Sequence, residues 1–214
     1  MSGLVSTRPS GLGFKQLFLL LLVFLVFFSL PFFPALFSDH RYYGLESDRQ
    51  APSFSLSDHA GKPVSLSDFR GDYIFLMFGY LNCDGLCHNQ VMLFQEINAL
   101  LSASSTAMPV FLYISMDPQR DDAEKIAKYF DSHADNFVSL NAPDFRQVQA
   151  VAMDYRAFFS KTGNKSSQSY EIDHPGHIFL IDPKGNLRLT YSASHKRADR
   201  MVSDLITTIE RQNI

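Results

Sequence analysis

The chain carries only two cysteines, and both lie in one five-residue stretch, Cys83-Asp84-Gly85-Leu86-Cys87. A thiolate is both a soft ligand and a nucleophile, so a close pair suits a soft metal ion or exchange with a disulfide. Three residues separate the two sulfurs, one more than in the commonest redox dithiol motif. If the stretch runs into a helix, an i, i+4 pair lies on one face, where both sulfurs can converge on one ion or on each other. A purely structural bridge across so short a loop would restrict the unfolded chain little. Two thiolates suit Cu(I) or zinc, and an imidazole would complete a three-coordinate site.

Seven histidines could supply that imidazole. His40 in a polar stretch, His59 at a turn and His133 at a helix end read as solvated surface. His88 adjoins Cys87 and is expected to point away along the helix. His174 and His177 share the segment Asp-His-Pro-Gly-His ahead of an apolar run. In an extended chain the two face opposite sides, so at most one points easily at a shared site, and the period does not choose between them.

The elements that must hold these residues follow from hydrophobic period. Tyr73 to Tyr80 and Val110 to Met116 are continuous apolar runs of strand length, as expected for strands buried on both faces. The cysteines sit between the first run and a helix from Cys87 to about Ser102, with Val91, Phe94, Ile97 and Leu101 as its stripe. The end of a buried strand running into a helix N-terminus is where α/β folds place ligands, and the helix end favours a thiolate. Asp121 with Glu124 resembles a capping box for a second helix, Phe137 to Leu140 is a short strand, and Phe145 to Phe159 holds a third helical stripe. Ser160 to Ser169 reads as a flexible loop, His177 to Ser192 as an antiparallel hairpin, and Ala198 to Ile209 as a closing helix. Ser53 to Phe69 alternates about a Gly-containing turn and predicts a further hairpin. Strands alternating with helices predict an α/β sheet with helices on both faces.

With 214 residues, 46% apolar and 19% charged, the chain fits one domain plus an appendage and is too apolar for disorder. Two cysteines exclude a disulfide-dense scaffold, and a net charge of -3 without a basic run gives no footprint for nucleic acid. Leu17 to Phe37 is 21 residues without a charge. As a helix it would span roughly 31 Å at about 1.5 Å per residue, about the hydrocarbon thickness of a bilayer. Pro31 and Pro34 leave 14 uninterrupted apolar residues, which also suits a cleavable signal peptide, but small residues at a cleavage site are lacking. The expected layout is a cytoplasmic N-terminus over 1–16, a transmembrane anchor over 17–37, a tether over 38–50 and a domain over 51–214. Arg8 and Lys15 before the anchor keep the N-terminus inside, and two basic residues are too few for a transit peptide, which favours a bacterial inner membrane with a periplasmic domain.

Three segments, FGYLNCDGLC (Phe78 to Cys87), SMDPQRD (Ser115 to Asp121) and YEIDHPGHIFLIDPKG (Tyr170 to Gly185), in this order and spacing, resemble the Sco/SenC family. The resemblance runs from Ala51 to Ile214. It implies a thioredoxin-like fold with an N-terminal β-hairpin extension, preceded by a single transmembrane helix. It further implies copper as Cu(I) and Cu(II), bound by Cys83, Cys87 and His174. The implied role is that of a metallochaperone that delivers copper to, or reduces the cysteines of, the binuclear copper site of cytochrome c oxidase subunit II. The alternative is an extracytoplasmic thiol:disulfide oxidoreductase in which Cys83 and Cys87 act without bound copper. A peroxide reductase would need a Thr near its reactive cysteine, and none adjoins Cys83 in sequence. Family members place Asp117 near the metal loop, although a loop carboxylate ordering the turn at Pro118 explains it as well. Where the family commonly has proline after each cysteine, this chain has Asp84 and His88, which implies a more mobile loop with an added negative charge.

Overall fold

The computed structural model describes residues 13–29, 42–83, 85–104, 106–163, 170–194 and 196–212. Two units emerge, Met1–Arg41 and Tyr42–Ile214. Within the first, helix α1 (Phe14–Ser29) is 16 residues long and buries none of them. Among the described residues no helix is long and apolar enough to cross a membrane. Of the expected 17–37 span, Leu17 to Ser29 lies within α1, and the part from Leu30 onward lies outside the described residues, as does the first part of the expected tether.

The second unit is built on a six-stranded sheet. Its strands are β1 (Leu45–Gln50), β4 (Ile74–Gly79), β5 (Val110–Ser115), β6 (Phe137–Leu140), β9 (Ile178–Ile181) and β10 (Asn186–Tyr191), in the order β1-β10-β9-β4-β5-β6. β4, β5 and β6 are parallel, whereas β9, β10 and β1 are joined antiparallel. Two small hairpins stand apart: β2 (Ser55–Ser57) with β3 (Pro63–Ser65), and β7 (Ser160–Gly163) with β8 (Tyr170–Asp173). The helices are α2 (Leu86–Ser102), α3 (Ala123–Phe130), α4 (Phe145–Asp154) and α5 (Ala198–Gln212).

Every residue of β4 is buried, which is why its sequence shows no alternation. Because side chains alternate along a strand, Phe75 and Phe78 serve opposite faces. Phe75 meets Phe94 of α2 and stacks on Phe111 at 5.9 Å, and Phe130 at the end of α3 continues this cluster. Phe78 packs edge-on to Tyr155, just after α4, and to Phe179. Helices thus cover both faces, and each fully buried Phe contributes about 1.5–3 kcal/mol.

Four expectations change. Leu45–Gln50, read as part of a tether, is the edge strand β1. Its polar sequence LESDRQ carries no strand pattern because it is held by backbone pairing to β10 and by Asp204 of α5, whose carboxylate accepts from Tyr43 N at 3.0 Å and Gly44 N at 2.9 Å. The second unit accordingly includes β1 and starts at Tyr42. Ser160–Gly163, read as loop, is strand β7, paired with the segment that leads to His174, and the third helix ends at Asp154 with Phe159 beyond it. The cap of α3 is Asp122, which accepts from Glu124 N and Lys125 N, leaving Asp121 free to turn inward.

Candidate metal centre

β4 delivers the chain at Tyr80 into a short loop, and α2 starts at Leu86 after Gly85, whose φ of +96° suits glycine. Gly85 offers no side-chain cap, so the first N–H groups of α2 need another acceptor. Cys83 supplies it: its Sγ accepts from Cys87 N at 3.4 Å. Hydrogen bonding from the Cys87 thiol and from the N–H groups of Cys87 and Leu86 outweighs burial and lowers the Cys83 thiol to about 6. The shared hydrogen bond with Cys83, together with burial, pushes the Cys87 thiol up. Cys83 is half-buried and Cys87 is 3% exposed, so the reduced pair is one outer thiolate and one inner thiol.

His174 arrives from β8. Its Nε2 lies 3.5 Å from Cys87 Sγ, and its ring stands edge-on to Tyr80 at 5.8 Å. Burial, and next the charge of Lys196, lower the His174 pKa, which favours the neutral imidazole that a metal requires. One ligand atom from each of Cys83, Cys87 and His174 lies within 4.8 Å of the others, and among the described residues this is the one such group. Two soft sulfurs and a neutral imidazole fit a soft ion such as Cu(I). Lys196 Nζ is buried with no hydrogen-bond partner, and burial lowers its pKa to about 8 against the opposing pull of both cysteines. An ammonium there would offset the negative charge that two thiolates bring to a monovalent ion.

A second tier holds the loop. The Asp121 carboxylate accepts from Leu81 N at 3.1 Å and from Ser115 Oγ at 2.6 Å, and burial raises its pKa to about 6 against those two bonds. Tyr80 donates its hydroxyl to Glu171 at 2.8 Å, joining the cysteine loop to β8. Asp117 is fully buried but is no part of the three-ligand group: it pairs with Arg120 and accepts from Tyr170 Oη at 2.5 Å. Turn chemistry alone did not reveal that arrangement, because Tyr170 is 53 residues away.

The other histidines take other places. His88 Nδ1 lies 3.1 Å from Tyr129 Oη, on the exposed side of α2. His177 packs edge-on to Phe179. His133 meets Gln95, and His59 lies 3.8 Å from Asp131. His40, His195 and Asp84 lie outside the described residues. Sequence reasoning missed Tyr80, Asp121 and Lys196 as parts of this centre. Tyr80 and Asp121 had a signal, since each sits at the C-terminal end of a buried parallel strand or in the loop after it.

The SCO1/SenC family model matches residues 44–210. The mouse protein SCO2 homolog, mitochondrial, is 29% identical over 153 residues, which cover 71% of this chain and 59% of that protein. The human protein SCO1 homolog, mitochondrial, is 28% identical over 155 residues, covering 72% and 51%. This chain thus spans between half and three-fifths of the length of these relatives. Among solved structures, apo Sco1 from Thermus thermophilus is 25% identical with a TM-score of 0.70, covering 80% of this chain and 99% of that one. Yeast Sco1 with copper bound is 25% identical with a TM-score of 0.62, covering 73% and 88%. The mixed sheet and its helices match the thioredoxin-like fold of these proteins. With the family model spanning 44–210, the three-ligand centre and this fold together, the chain belongs to the SCO1/SenC family.

Proposed function

We propose that this chain is a copper-binding assembly factor for cytochrome c oxidase, in which Cys83, Cys87 and His174 hold the ion. The observation that carries the reading is the convergence of three soft-ion donors within 4.8 Å from two segments 87 residues apart. The ion is cargo: bound as Cu(I), it is kept from water and oxidant until an acceptor site takes it. The chain's own residues keep Cys83 ionised, keep His174 neutral and hold the loop. The proposed acceptor is the binuclear copper site of subunit II. The uncharged run from Leu17 to Phe37 supports a single-pass anchor in a bacterial inner membrane, with Arg8 and Lys15 on the cytoplasmic side. Such an anchor would raise the local concentration of a membrane-held acceptor.

The test is a Cu(I) competition titration of the reduced full-length chain in detergent micelles against a Cu(I) chelator. One ion per chain is expected, and His174→Ala, which removes one ligand, weakens retention by roughly 100-fold. Unchanged affinity in His174→Ala would refute the assignment.

The asymmetry of the two thiols favours a second activity of the same centre. The outer Cys83 thiolate attacks a partner disulfide, Cys87 then resolves the mixed disulfide, and the chain gives up two electrons and two protons to leave two partner thiols. No step in this needs His174. A His174→Ala chain that loses copper yet reduces an oxidised partner peptide at the wild-type rate marks the two activities as separable.

A further inference from the structure

We propose that Gln90 is a positioning residue, the latch that fixes the distance between Cys87 and His174; this rests on the copper reading of the centre. Gln90 lies on α2 one turn beyond Cys87 and has no exposed surface. Its Nε2 donates to the carbonyl of Gly176 at 2.9 Å, two residues after His174. The same loop presses on the first turn of α2: a Cβ on Gly176 would stand 2.8 Å from Leu86 Cδ2, and Gly176 has a φ of +59° that suits glycine. The histidine loop is therefore held at Leu86 and Gln90, on both sides of Cys87 along the helix.

Stability does not account for the amide. Its Oε1 is buried and finds no hydrogen-bond partner, so the side chain meets only part of its polar demand in a place where an apolar residue would pack. What the amide does achieve is a directional bond between the helix that carries Cys87 and the loop that carries His174. Nothing else ties them this way among the described residues except the Cys87–His174 contact itself. Without the latch, the loop would be set by packing alone and the imidazole would sample positions away from the sulfurs.

Gln90→Met tests this, because methionine keeps length and volume and removes the donor together with the orphaned oxygen. The full-length reduced chain is expected to hold its Tm within about 3 °C, while Cu(I) retention against the chelator falls roughly ten-fold. In a His174→Ala background Gln90→Met should cost nothing further, since the latch acts through His174. An equal loss in both backgrounds, or no loss in either, overturns the proposal. A metal-free readout runs beside it: the nuclear Overhauser contact between the Cys87 β-protons and the His174 ring weakens in Gln90→Met, and its full retention also overturns the proposal. If His174→Ala alone leaves Cu(I) retention unchanged, the copper reading falls while this second readout still decides the latch. Should Gln90→Met unfold the chain, Gln90→Leu, which likewise lacks the donor, takes its place, and full retention of the Cys87–His174 contact in that variant overturns the latch.

Discussion

Cys87→Ser is expected to cost the chain about 100- to 1,000-fold in Cu(I) retention. The scale follows from structural zinc sites, where about 10–16 kcal/mol is shared among four ligands, or roughly 3 kcal/mol for each. Cys87 is the innermost donor, and its sulfur lies beside the His174 ring. A serine hydroxyl is a poor ligand for a soft ion, yet it still donates to the Cys83 sulfur as the Cys87 thiol does. Cys83 therefore stays acidic in this variant, with alkylation by a small thiol reagent rising around pH 6, near its value in the native chain. Retained reactivity with lost copper is the signature. Copper retention within a few-fold of wild type would mean that Cys87 is not a ligand.

Arg120→Met is expected to destabilise the fold by about 3–5 kcal/mol, the usual result of leaving a buried charge without its partner. The Asp117 side chain has no exposure and that of Arg120 only 11%. The guanidinium donates to Asp117 and to the Tyr170 carbonyl at 2.7 Å, and it stacks over the Tyr170 ring at 3.7 Å. It thereby fastens the loop after β5 to the strand that leads to His174. The contrasting pair is Arg188 with Asp48, whose carboxylate is 86% exposed. Arg188→Met should cost under about 1 kcal/mol, because water screens that pair. Urea unfolding of the three chains checks both values, and an Arg120→Met loss as small as that of Arg188→Met would contradict the buried-pair account.

The parts of this protein that were readable in its sequence are those that announce themselves locally. β4 and β5 are unbroken apolar runs of strand length, and α2 and α5 carry helical stripes, so β4, β5 and α2 stand within a residue of their expected bounds and α5 runs three residues past its expected end. The cysteine pair at the end of a buried strand was equally plain. What the local pattern did not carry depends on distant partners. β1 is polar and acquires its structure only through β10 and Asp204. β7 is a strand because Tyr170–Asp173 pairs with it. Between His174 and His177 the chain period gave no choice; the resemblance singled out His174, and the structure sets that ring against Cys87 and the other against Phe179. Gln90 had a visible sign, a polar residue on the buried stripe of α2, but its partner at Gly176 is 86 residues away.

The claim that matters most is that Cys83, Cys87 and His174 together hold one copper ion. X-ray absorption at the copper edge of the reduced, Cu(I)-loaded full-length chain addresses it most directly, because it counts donors by element. The account predicts two sulfurs and one imidazole nitrogen, with the imidazole signal gone in His174→Ala and one sulfur gone in Cys87→Ser. A first shell with no imidazole in the wild-type chain, or one that is the same in His174→Ala, would contradict it.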